Sequence, residues 1–135
     1  DGAALYGGRW NSKGLPVLYC ASSISLSMLE LVVNLHPGML TTIDFYLLEL
    51  ELPELEAIAV RAAKLKKNWQ KDLTYTRYMG DQFLKQNQSL YMKVPSAVVP
   101  EEFNILINPA HSDMRQIHLR KSRPYPMDVR LTPSK

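Results

Sequence analysis

Cysteine is almost missing from the chain. Cys20 is the one thiol, so no internal disulfide can form, and a reducing cytoplasm is the expected setting. Histidine is scarce too: His36, His111 and His118 are scattered, and with a single cysteine they show none of the spacing a zinc site requires. No apolar run reaches the roughly 18 residues of a membrane helix, and no signal-peptide pattern opens the chain. A Walker loop, a dinucleotide-binding glycine fingerprint and a nucleophile-elbow pattern are all lacking. Repeats and low-complexity stretches are lacking as well. Charge of one sign is in short supply: the net charge of +3 favours an anionic ligand but is too small to argue for nucleic acid. What remains is an ordinary soluble composition over 135 residues, enough for one domain with a single core.

Glycine is concentrated near the start, at Gly2, Gly7, Gly8 and Gly14, where it marks turns that let backbone approach something closely. Pro16 to Ala21 reads as a short buried strand. A helix is predicted from about Ile24 to His36, with Ser22, Ser23 or Ser25 as its N-cap and Pro37-Gly38 as its stop. Its apolar residues cover nearly every face, so it is expected to be central. A strand follows over Thr42 to Leu52, with Tyr46, Leu48, Leu50 and Leu52 on one face and Glu49 and Glu51 on the other. Ala57 to Lys67 is ambiguous between strand and short helix. Tyr75 to about Gln86 suits a helix in which Gly80 is a mild flaw. Leu90 to Val94, Ile117 to Leu119 and Met127 to Leu131 are further strand candidates. Pro95 and Pro100 frame a rigid loop holding Ser96. Asn104 and Asn108 flank a short apolar run, where their amides can fix loops or bind a ligand.

The spacing of three residues stands out. Tyr19 follows Arg9 by ten positions, and Glu30 follows Tyr19 by eleven. Glu30 falls on the apolar helix, where a carboxylate needs a partner to offset its burial. One reading is a structural Arg9–Glu30 ion pair; the other is a catalytic acid. Ser27 and Glu30 have capping-box spacing, but Ser27 is expected to lie inside the helix already. A Ser96–His111–Asp113 triad can be written without the glycines that would support it. Cys20 sits in an apolar strand, where a thiol is ordinarily an inert core group. Lys64, Lys66, Lys67 and Lys71 around Trp69 read as a solvated surface with one anchor; a nucleic-acid patch over Lys64–Lys71 is the competing, non-enzymatic reading.

Arg9, Tyr19, Glu30 and Ser96 together fit cleavage of the nicotinamide–ribose bond of NAD. Nicotinamide leaves as a neutral ring, so no acid is needed to protonate it, unlike ordinary glycoside hydrolysis. One carboxylate near the ribose stabilises the developing oxocarbenium ion. An aromatic ring can stack on nicotinamide, and an arginine can grip the pyrophosphate.

Gly8-Arg9-Trp10-Asn11, Val17-Leu18-Tyr19, Leu29-Glu30, Val94-Pro95-Ser96-Ala97, and Asn104 to Pro109 with His111 closely resemble, in that order, the RES domain of bacterial RES–Xre toxin–antitoxin systems. The family takes its name from an Arg, a Glu and a Ser, here Arg9, Glu30 and Ser96. The resemblance implies an ADP-ribosyltransferase-like α/β fold, with a mixed, mostly antiparallel split sheet and flanking helices. It implies an NAD-degrading enzyme acting by hydrolysis or phosphorolysis, or a protein ADP-ribosyltransferase, with Glu30, Tyr19 and Arg9 catalytic. Arg9, Tyr19, Ser96, Asn108, Asn104, Trp10 and Asn11 would bind NAD. No cofactor and no metal are expected beyond NAD as substrate. The implied partners are an Xre-type antitoxin and inorganic phosphate, in a homodimer or a hetero-oligomer with the antitoxin. Residues 1–135 would form a single RES domain lacking the family's N-terminal strand and its further arginine. Arg9, Tyr19, Glu30 and Ser96 are expected to converge on a cleft, beside which the Ile24–His36 helix packs on the sheet.

Overall fold

A computed structural model describes residues 6–36 and 38–131. The chain gathers into two compact units, Asp1–Ser22 with Glu54–Met114, and Ser23–Pro53 with Arg115–Lys135.

The first unit is built on a four-stranded sheet. Its strands are β1 (Leu18–Ala21), β3 (Ile58–Ala59), β4 (Tyr91–Pro95) and β5 (Phe103–Ile107), in the order β1-β5-β4-β3. β5 runs antiparallel to β1 and β4, with Tyr19 opposite Leu106 and Val94 opposite Asn104, while β3 adds in parallel to β4. All residues of β4 except Lys93 are buried, as a strand covered on both faces requires. The sequence between Ala57 and Lys67 resolves into both of its readings, β3 and then a 3-10 turn at Ala62–Lys64.

Helix α3 (Leu73–Gln86) covers this sheet. Asp72 caps it by accepting the Tyr75 N–H at 3.0 Å, and Asn87 ends it in the left-handed conformation, φ 53°. Thr76, Gly80, Phe83 and Leu84 are buried on one helical stripe. Phe83 and Leu84 enter the core with Trp10, Val17, Trp69, Met92, Val94 and Leu106. Gly80, read from sequence as a flaw, is a packing requirement: a Cβ there would lie 1.6 Å from the Trp10 carbonyl oxygen. The helix trades intrinsic propensity for a close backbone approach.

The second unit contains α1 (Ile24–Asn34), α2 (Met39–Thr42), β2 (Tyr46–Glu51) and β6 (His118–Pro124). Ser23 is the N-cap of α1, its hydroxyl accepting from Leu26 N at 3.1 Å. Ser27 N donates to Ser23 O, so Ser27 is inside the helix and Ser27–Glu30 is no capping box. Of the stops read for this helix, Pro37 lies outside the described residues. The expectation of a central helix is not met along α1: Leu26 alone is fully buried, and Ile24, Leu29 and Val33 are exposed. Among the described residues its unit offers a two-stranded sheet, the one-turn helix α2 and short 3-10 turns to cover so broad an apolar surface.

Two boundaries also differ from the reading. The strand from Thr42 begins only at Tyr46, because Met39–Thr42 forms a helical turn whose Thr42 hydroxyl donates to Gly38 O at 2.9 Å. Met127–Leu131 is not a strand. Asp128 accepts from Arg130 N at 2.9 Å and bends Val129–Leu131 into a 3-10 turn. β6 instead runs from the predicted Ile117–Leu119 region on to Pro124, antiparallel to β2 with a bulge beside Glu49/Leu50. Among the described residues no helix is long and apolar enough to cross a membrane.

Candidate active site

The glycine turn before β1 is pinned to α3 by buried polar groups. Gly7 adopts φ +77°, and Gly8 N donates to Asn11 O at 3.0 Å, closing a tight loop. Thr76 Oγ1 donates to Arg9 O at 2.6 Å, and Arg77 Nε donates to Gly8 O at 2.7 Å. Asp81 accepts from Ser12 N at 2.8 Å and also from the Ser12 hydroxyl. One side of a single helix therefore fixes three points along the loop that carries Arg9. The Arg9 side chain donates through Nη1 to Gln70 O at 2.7 Å. Among the described residues Arg9 has no carboxylate partner in its own unit, so its charge remains available to a ligand.

Tyr19 extends from β1 to the same loop. Its hydroxyl accepts from Trp10 N at 3.0 Å and donates to Asn11 Oδ1. Asn11 is fully buried and uses its Nδ2 to hold Leu15 O at 3.0 Å. Gly8 leaves space for this contact, since a Cβ would stand 2.6 Å from the phenol oxygen. Tyr19 nevertheless keeps 40% of its surface accessible. The hydroxyl end is enclosed, and burial pushes its pKa up to about 12, against smaller downward effects of the Trp10 N–H and the Arg77 and Arg9 guanidiniums. Tyr19 is thus a neutral, fixed residue with an anchored tip and an accessible ring.

The other sequence candidates take distinct positions. Trp10 is buried and packs against Trp69 at 5.9 Å and 42°. Ser96 is buried, its hydroxyl accepting from Val98 N and Val99 N at 3.1 Å each while its own N–H holds Glu102 O at 2.9 Å, so it fixes the loop after β4. Asn104 lies on β5 opposite Ala21 and Val94. Asn108 ties down the end of α3, donating to Leu84 O at 3.2 Å and Asn87 Oδ1 at 3.0 Å. His111 Nδ1 accepts the Asp113 N–H at 3.0 Å, a turn contact. Glu30 stands half-buried on α1, in the other unit, its carbonyl accepting from Asn34 Nδ2 at 2.7 Å.

Arg9, Trp10, Asn11 and Tyr19 are brought together as one cluster. Thr76, Arg77, Asp81 and the Gln70 carbonyl complete it and were missed in the sequence. The signal available was a buried Thr and Asp on the inner stripe of an amphipathic helix, where each must find a partner. In the basic segment Lys66 pairs with Asp72 and lies 5.0 Å from the Tyr75 ring centre, with Trp69 buried beneath; Lys64, Lys67 and Lys71 are exposed. A cavity of about 400 Å³ in the second unit, lined by Leu40, Phe45, Tyr46, Tyr125 and Met127 among others, includes none of the candidates. Among the described residues no group of His, Cys, Asp and Glu could hold a metal ion.

The family model of the RES domain matches residues 1–128. A Sphingobium protein named Prs ADP-ribosylating toxin is 38% identical over 135 residues, spanning 96% of this chain and 83% of that protein. A Toxin Res of Photorhabdus laumondii is 36% identical over 137 residues, spanning 99% and 87%. A chain of the M. tuberculosis MbcT–MbcA toxin–antitoxin complex superposes with a TM-score of 0.74 at 20% identity, over 92% of this chain and 74% of that one. The shared fold is a mixed α/β architecture with its strands split between two sheets.

Proposed function

The chain belongs to the RES domain family, and on that footing we propose that it is the toxin of a toxin–antitoxin system, an enzyme that consumes NAD by breaking the nicotinamide–ribose bond. The observation that carries this reading is the Arg9–Tyr19 cluster. Arg9 is half-buried and positioned by the Gln70 carbonyl, and the Tyr19 ring is accessible while its hydroxyl is locked. In this reading Arg9 holds the pyrophosphate through charge-assisted hydrogen bonds, and the Tyr19 ring stacks on nicotinamide. Glu30 is assigned as the carboxylate that stabilises positive charge as nicotinamide leaves with the bonding electron pair. Ser96, Asn104 and Asn108 shape the loops around the site, and Trp10 and Asn11 keep the Arg9 turn in place.

The ribosyl cation is captured by water or by inorganic phosphate. A second reading, capture by a protein side chain, is favoured by the likeness to the Sphingobium ADP-ribosylating toxin. An enzyme that drains NAD must be restrained in its own cell, so an Xre-type antitoxin is the proposed partner and the cytoplasm the proposed location; the M. tuberculosis neighbour is itself part of a toxin–antitoxin complex. Incubating the protein with NAD, with and without phosphate, and identifying the ribosyl product by mass spectrometry tests the proposal. Free ADP-ribose, its phosphorylated counterpart or a modified protein distinguishes the acceptors. An unchanged NAD pool under all conditions overturns it.

A further inference from the structure

Arg77 is a cation that the sequence reading did not use. It projects from α3 across the Gly7–Gly8 turn. Its Nε donates to Gly8 O at 2.7 Å, and its Nη2 is 3.3 Å from the point a Cβ on Gly7 would occupy. It shares this turn with Arg9, whose carbonyl is held by the neighbouring Thr76. Both guanidiniums lie close enough to the Tyr19 phenol to favour its ionised form.

Neither arginine has an ion-pair partner among the described residues. The one carboxylate in the cluster, Asp81, is engaged with the N–H and hydroxyl of Ser12. Each guanidinium uses one donor on a backbone carbonyl, Arg9 on Gln70 and Arg77 on Gly8. These bonds fix position without neutralising charge, and a guanidinium carries five donors, so most stay available. Two half-buried like charges around one turn repel each other, and the arrangement becomes favourable when an anion lies between them. A diphosphate carries two charges and presents several acceptor oxygens, which matches two planar donor forks.

We propose that Arg77 is a second pyrophosphate-binding residue, sharing the diphosphate of the dinucleotide with Arg9. This inference rests on the NAD reading above. Arg77 binds and does not take part in bond breaking, so its loss acts on substrate affinity.

The test is titration of folded wild type, Arg77→Lys and Arg77→Gln with NAD and with ADP-ribose, which keeps the diphosphate but lacks nicotinamide. Arg77→Gln is expected to weaken both ligands about tenfold, the loss of one charge-assisted contact. KM should rise while kcat stays near wild type, as for an interaction made equally in ground and transition states. Arg77→Lys should recover part of the affinity. In wild-type protein, guanidinium NMR resonances of both Arg9 and Arg77 should shift on adding ADP-ribose. Wild-type affinity for both ligands in Arg77→Gln, or a shift of Arg9 alone, overturns the proposal while leaving the NAD reading intact. Wild-type protein that binds neither ligand overturns both. If Arg77→Gln does not fold, the resonance shifts in wild type decide.

Discussion

The hydroxyl of Tyr19 donates to the side-chain oxygen of Asn11, a residue with no surface exposed to solvent. This bond makes the tyrosine serve two ends at once, a ring open to a ligand and a tip that holds the Arg9 turn.

Tyr19→Phe therefore separates the two roles. It keeps the ring but leaves Asn11 Oδ1 and Trp10 N without the hydroxyl, at a cost of about 1–3 kcal/mol for buried polar groups stripped of a partner. Thermal melts should show lower stability, while nicotinamide release by the folded fraction falls less than in Tyr19→Ala, which loses stacking as well. Equal activity losses in the two variants exclude stacking as the role of the ring.

Alkali should expose the same bond. The folded pKa of Tyr19 is raised to about 12 from an ordinary 10.0, chiefly by burial. The stabilising contribution of the neutral phenol is fully present below the ordinary value and is lost as pH rises through the folded one. Stability measured from pH 10 to 12 should fall with a component that Tyr19→Phe lacks. A tyrosinate absorbance titration should show one ionisation, absent from that variant, trailing the free-tyrosine range.

Gly80→Ala should destabilise the protein despite alanine's higher helix propensity, worth about 1 kcal/mol. The new methyl would meet the Trp10 carbonyl oxygen at 1.6 Å, so the turn or the helix has to move. A lower melting temperature together with loss of nicotinamide release is the expected result. A variant more stable than wild type would show that the loop does not dock on α3 as described.

Glu30→Gln preserves shape and removes charge. If Glu30 stabilises the oxocarbenium ion, kcat should drop on the order of 10²–10³-fold with little change in melting. Arg9→Ala should raise KM and lower kcat/KM with kcat little changed, because the pyrophosphate is held alike in ground and transition states. A Glu30→Gln protein that melts lower yet releases nicotinamide at the wild-type rate assigns the residue to structure.

Local signals explain what could be read in advance. Cys20 and Ala21 in β1, the Ser23 cap of α1, and the apolar run of β5 each follow from a few neighbouring residues. Arg9, Tyr19 and Asn11 were legible because they fall within eleven positions of one another. Asp81 was not, because its partner Ser12 is 69 residues away and nothing near either residue points to the other. Gly80 was misread for the same reason: its constraint comes from Trp10, not from the helix around it. Met127–Leu131, a strand candidate in the sequence, is curled by one side-chain bond from Asp128.

The long reach of these contacts has a consequence during synthesis. Residues 7–12 are made before their anchors on α3, which follow only at Thr76 to Asp81, and Tyr19 gains its strand neighbour only with Leu106. Until α3 has been made, the Arg9 turn lacks the side chains that anchor it. A chain cut short before α3 would keep the sequence of the Arg9 turn without the contacts that shape it.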